Sequence, residues 1–90
     1  VIDLSGRPYA VIQASWHTAS IGLLPTNLVN HFFESMAVGM RANIHARVIY
    51  GIDDHHQIEA LFKALGIAMD HATSLDDRRM NTVPSTKGSL

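Results

Sequence analysis

The chain has 90 residues, 47% of them apolar and 17% charged, with a formal net charge of −1. That length holds one small domain, and that charge gives no electrostatic basis for binding nucleic acid or an anionic membrane. No apolar run approaches the ~18 residues of a membrane span. Without cysteine, disulfides and thiolate centres are excluded, so a bound metal would rest on His, Asp or Glu. The six histidines are roughly three times what average usage gives.

Taken in chain order, Val1–Leu4 and Tyr9–Ser15 read as two strands of a β-hairpin around Ser5-Gly6-Arg7-Pro8. The opening Val1-Ile2-Asp3-Leu4 has strand character rather than that of a signal peptide. Trp16–Leu24 reads as a loop with some extended structure. Pro25-Thr26 opens a helix whose apolar residues Leu28, Val29, Phe32, Phe33, Met36 and Met40 follow core-facing spacing. Gly39 lies near its end. Ala42–Tyr50 alternates, with Ile44, Ala46 and Val48 on one side and Asn43, His45 and Arg47 on the other, as in a two-faced strand.

A second helix begins after Gly51. Asp54 is the expected N-cap, and Gln57 three residues on completes a capping-box pattern. Ile58, Leu61, Phe62, Leu65, Ala68, Met69 and Ala72 form its apolar stripe. From Ser74 the pattern gives way to Asp76-Asp77-Arg78-Arg79 and then Val83-Pro84-Ser85-Thr86-Lys87-Gly88. The expected architecture is α+β: a ββαβα unit, one sheet backed by two helices. A domain this small without disulfides calls for other staples, metal or oligomerisation.

The sharpest local feature is His55-His56-Gln57-Ile58-Glu59. At about 100° per residue, His55 and Glu59 sit about 40° apart, with His56 about 60° beyond Glu59. The three share one sector beside the apolar stripe. Imidazole nitrogen with carboxylate oxygen suits Mn, Fe, Co, Ni or Zn better than Cu(I). A position in the first helical turn disfavours imidazolium and keeps the rings neutral, the form that binds metal. The same five residues also read as a solvated helix start. Gly66, two turns on, either admits a neighbouring chain or relieves crowding.

The other histidines carry weaker signals. His31 lies on the flank of the first helix, a boundary position. His45 reads as a buried, hydrogen-bonded histidine, and His17 and His71 as surface residues. Arg7 is held in a tight turn that would aim its guanidinium. Ser85-Thr86-Lys87-Gly88 offers two hydroxyls and an ammonium, the parts of an anion site, and equally reads as a polar tail.

Ile2-Asp3-Leu4-Ser5-Gly6-Arg7-Pro8-Tyr9, Leu28-Val29-Asn30-His31-Phe32-Phe33, Asp54-His55-His56-Gln57-Ile58-Glu59-Ala60 with Phe62-Lys63-Ala64, and Pro84-Ser85-Thr86-Lys87-Gly88 stand here in one order. Together they resemble the C-terminal half of the imidazoleglycerol-phosphate dehydratases over nearly the whole chain. Pro25 departs from that pattern, where the family usually carries an acidic residue.

The resemblance implies a half-repeat with the ribosomal protein S5 domain 2-like fold, two such halves making a subunit. It implies manganese, two ions per complete site, with His31, His55, His56 and Glu59 as ligands. Arg7, Ser85 and Lys87 match phosphate-binding positions. The implied reaction is dehydration of imidazole glycerol phosphate to imidazole acetol phosphate in histidine biosynthesis, in the cytoplasm. Glu59 is then a ligand or a proton shuttle, and this chain supplies half of the site. The expected partner is a first-half chain or identical copies in a large symmetric oligomer. Two other classes stand beside this one: an inactive metal-stapled assembly module, and a different metal-dependent hydrolase or lyase. The zinc-protease motif is absent, because HHxxE lacks a general base between two histidines.

Overall fold

The computed structural model describes residues 1–74. Within them lie strands β1 (Ile2–Asp3), β2 (Tyr9–Gln13), β3 (Ser20–Ile21) and β4 (Leu24–Pro25). Helix α1 (Asn27–Met40), strand β5 (Asn43–Arg47) and helix α2 (Asp54–Thr73) follow.

The main sheet has the order β1-β5-β2. β5 runs antiparallel to β1, with Ile2 opposite Ile44, and parallel to β2, with Ala10 opposite Ile44 and Gln13 opposite Arg47. The expected β1–β2 hairpin is therefore corrected: β5 inserts between the two strands. Local turn signals favour pairing of chain neighbours. Here the central strand arrives from more than thirty residues away, and Ile44, at 1% exposure, is buried by strands on both sides and the helices above. Gly6 adopts a φ of 80° in the β1–β2 connection. Its amide donates to Arg41 O at 3.0 Å, tying this turn to the end of α1.

Register places Ile44 and Ala46 on the helix-covered side, with His45 and Arg47 on the exposed one. The alternation of β5 is thus as its residues imply. His45 is not buried: its ring stands 6.4 Å from that of Tyr9 on the open face, and its hydrogen bonds run through its backbone to Val1. A sheet covered on one side leaves alternate residues to solvent.

The segment after β2 forms a small β3–β4 hairpin with Gly22 at φ 57°. α1 buries Val29, Phe33 and Ala37, spaced four apart, while Leu28 and Phe32 remain about half exposed. The apolar stripe of α1 is thus broader than the surface covering it. α1 ends at Arg41 in the left-handed conformation, with Ala42 N donating to Ala37 O at 2.9 Å. α2 buries Ile58, Leu61 and Leu65 against the same core. The result is an α+β layer of two helices on a mixed sheet.

Candidate metal centre

α2 starts one residue earlier than a cap at Asp54 would give. Asp53 is the N-cap, with extended backbone and a side chain accepting from His56 N at 3.1 Å. The capping box around Asp54 and Gln57 is therefore not formed. Asp54 is the first helical residue and faces inward, and Gln57 is buried. Gly51 makes room for it: a Cβ at residue 51 would meet Gln57 Cγ at 2.9 Å.

The shift leaves His55, His56 and Glu59 on the exposed side of the first turns of α2. His55 Nε2 lies 3.8 Å from Glu59 Oε2, and Lys63 Nζ lies 2.9 Å from Glu59 Oε1. The Lys63 ammonium, through its hydrogen bond and its charge, holds the Glu59 carboxyl below its usual range, and the two imidazoles act in the same direction. The His56 ring stands 6.1 Å from that of His55. It faces a cleft of about 460 Å³ between α2 and the segment before it, walled by Ile49, Tyr50, Ile52 and Ala60.

The donor chemistry fits manganese. In sites for divalent zinc, nitrogen and oxygen bonds run about 2.0–2.2 Å, so two donors of one such ion stand no more than roughly twice that apart, and His55 Nε2 and Glu59 Oε2, at 3.8 Å, are within that reach. No buried hydrogen bond from the described residues engages either group, and Glu59 Oε1 meets only the exposed Lys63 among them. Among the described residues, no three His, Asp or Glu side chains converge on one point. One chain therefore presents an open edge of donors rather than a closed centre.

The remaining expected residues are dispersed. His31 is exposed on α1. Arg7 is exposed in the turn that precedes β2, its amide donating to the buried Ser5 hydroxyl at 3.4 Å. Because β2 and β5 are parallel, that turn precedes one end of the five-residue strands and the chain leaves for α2 from the other, a strand span of about 15 Å. Ser85 and Lys87 lie outside the described residues.

His71 is exposed near the end of α2, as its lack of pattern implies. Gly66 has nothing among the described residues within 4 Å of a Cβ, so it relieves no crowding among them. His17 is more than a surface residue: its amide and Nδ1 both bond Asp54, although its ring is 58% exposed. Lys63 was signalled by its i,i+4 spacing from Glu59. The role of His17 was not, since its partner lies 37 residues away. No helix among the described residues is long and apolar enough to cross a membrane.

The model of the imidazoleglycerol-phosphate dehydratase family matches residues 1–69. Imidazoleglycerol-phosphate dehydratase from Roseiflexus sp. (strain RS-1) is 56% identical over 89 residues, 99% of this chain and 45% of that protein. The enzyme of the same name from Bacillus subtilis (strain 168) is 48% identical over 90 residues, 100% of this chain and 46% of that protein. The crystal structure of imidazoleglycerol-phosphate dehydratase from Staphylococcus aureus superposes with a TM-score of 0.80 at 37% identity, covering 83% of this chain and 44% of that one. The chain spans about half the length of the curated relatives it matches. Sequence and fold thus agree on one assignment: the chain belongs to the imidazoleglycerol-phosphate dehydratase family.

Proposed function

We propose that this chain contributes part of a manganese-dependent site that dehydrates imidazole glycerol phosphate to imidazole acetol phosphate, a step of histidine biosynthesis. The observation that carries this reading is the His55–Glu59–Lys63 cluster at the start of α2 in a chain of this family. His55, His56, Glu59 and His31 would hold manganese. Bound there, the metal supplies Lewis acidity toward the substrate's imidazole ring and a fixed template for it.

The chain's own residues then have separable tasks. The Glu59 carboxylate stays ionised beside Lys63, so it serves as ligand or as acceptor of the proton lost from carbon. The hydroxyl leaves the neighbouring carbon, and proton and hydroxyl together make the water released. Arg7, Ser85 and Lys87 bind the phosphate and orient the reacting end.

The turn holding Arg7 precedes one end of the paired strands and the chain leaves for α2 from the other, which favours a site shared between subunits or halves. The half-exposed Leu28, Phe32 and Phe62 supply an apolar surface for that association. The partner is a first-half unit or further copies in a large symmetric oligomer, and the setting is the cytoplasm.

The test is dehydration by the native assembly, stripped with chelator and reloaded with manganese. Loss of turnover on stripping, recovery on reloading, and at least a hundredfold lower turnover in Glu59→Gln are expected. Full turnover in the stripped assembly overturns the metal reading, and full turnover in Glu59→Gln overturns the role of that carboxylate.

A further inference from the structure

Asp54 precedes the two histidines and points away from them into the fold. Its side chain is 3% exposed. It accepts from His17 N at 2.8 Å, Thr18 N at 2.7 Å and Thr18 Oγ1 at 2.8 Å, with His17 Nδ1 at 3.2 Å. One carboxylate thus meets two successive backbone amides of the loop after β2, those of His17 and Thr18, together with the side-chain groups of the same two residues. Its acidity agrees with that geometry: the His17 amide, followed by the Thr18 amide and hydroxyl, outweighs desolvation and holds the carboxyl well below the usual range.

The network continues past Thr18. The Thr18 carbonyl accepts from Thr26 Oγ1 at 2.7 Å, and Thr26 N donates to Ala19 O at 3.0 Å. Thr26 is 4% exposed and immediately precedes α1, where its hydroxyl makes no helix-capping bond because it is engaged with Thr18. Asp54, Thr18 and Thr26 therefore form one connected path from the first residue of α2 to the residue before α1. These are the two helices that carry His55, His56, Glu59 and His31. The segment leading into α2 offers little alternative support, since Ile49, Tyr50 and Ile52 are each at least 75% exposed.

We propose that Asp54, acting through Thr18 and Thr26, is a positioning residue that fixes the ligand-bearing start of α2 relative to the start of α1. The role rests on the manganese reading given above. Asp54 touches neither metal nor substrate: its shape and full set of donors set the direction in which His55 and His56 leave the helix. Partners behind the ligands of metal sites commonly govern affinity by 10- to 100-fold, because a ligand held in the wrong direction must be reoriented on binding. Asn at position 54 keeps the size but turns an NH2 group toward amide donors that require acceptors. Val at position 18 removes one hydroxyl donor and leaves the carboxylate and both backbone amides in place.

The experiment is manganese titration of the native assembly, with folding verified by circular dichroism and the bound ion followed by electron paramagnetic resonance. Asp54→Asn is expected to weaken manganese binding about tenfold or more and to broaden the resonance. Thr18→Val is expected to weaken it by a smaller factor, about threefold, with an unchanged circular dichroism spectrum. A folded Asp54→Asn assembly with wild-type affinity and resonance overturns the positioning role and leaves only a contribution to stability. Where Asp54→Asn does not fold, Thr18→Val decides, and wild-type affinity there overturns the proposal. A folded wild-type assembly that binds no manganese overturns the metal reading and the positioning role together. Wild-type binding with unmoved variants overturns the positioning role alone.

Discussion

Lys63 Nζ donates to Glu59 Oε1 at 2.9 Å, one helical turn from a carboxylate whose other oxygen faces His55. The pair has two consequences for a cation at this edge. Lys63 extends the ionised range of Glu59 to lower pH, and it also places a positive charge beside the donors and occupies one carboxylate oxygen. Both Glu59 and Lys63 are about half or more exposed, so the competition is screened by water.

Lys63→Met is therefore expected to tighten manganese binding by about two- to fivefold near neutral pH, where Glu59 stays ionised without help. Calorimetric titration of the assembly at two salt concentrations checks this, and the gain should shrink as salt rises. Weaker binding in Lys63→Met would mean that the ammonium contributes something other than charge to the edge.

Gly51 leads to the second prediction. Its φ of 148° suits glycine, and an added Cβ would meet Gln57 Cγ at 2.9 Å. Gln57 is buried in the first turn of α2 and cannot swing clear as an exposed side chain would. Gly51→Ala should destabilise the fold by about 1–3 kcal/mol through backbone strain and overlap. Chemical denaturation reads this, with the midpoint falling and the slope unchanged.

The same region shows what local sequence carries. The alternation of β5 and the apolar spacing of α2 depend on neighbours within a turn or a pleat, and both survive in the fold. The cap moved from Asp54 to Asp53 because two adjacent aspartates satisfy the same pattern. The loop amides of His17 and Thr18, which claim the second one, are distant in sequence. The position of β5 between β1 and β2 is likewise a long-range event that turn residues do not announce. The HHxxE spacing was legible as a shared helical sector. Its engagement with Lys63 was legible only as an i,i+4 spacing, while the separation of Arg7 from it follows from the long-range pairing of β2 with β5.

His31 separates a family-derived role from a surface one. It and His71 are both exposed helical histidines. If His31 is a manganese ligand, His31→Ala should lower manganese affinity by at least about a hundredfold, within the range expected when a direct ligand is lost rather than its supporting partner. His71→Ala should keep wild-type affinity and alter stability by no more than about 0.5 kcal/mol. Parallel titrations of the two variants provide the comparison, and equal affinities would remove His31 from the ligand set.

The last prediction concerns the open apolar face. Phe32 and Phe62 meet with ring centroids 5.2 Å apart and planes tilted by 54°, and each also lies against the buried Phe33, at 6.0 and 5.6 Å. Phe32 is 45% and Phe62 37% exposed, although both lie on the apolar stripes of their helices. Leu28 extends the patch by one turn of α1. In the function proposed above, this patch is the face through which subunits or halves associate. Placing a carboxylate there requires desolvating a charge without a partner on association, while the isolated fold keeps that charge in water. Phe32→Glu should therefore lower the mass of the assembly in light scattering while the far-ultraviolet circular dichroism of the dissociated species stays helical. If manganese also bridges subunits, chelation should lower the wild-type mass and leave the already dissociated variant unchanged. An assembly of Phe32→Glu with wild-type mass would show that this face stays open to solvent and that association uses another surface.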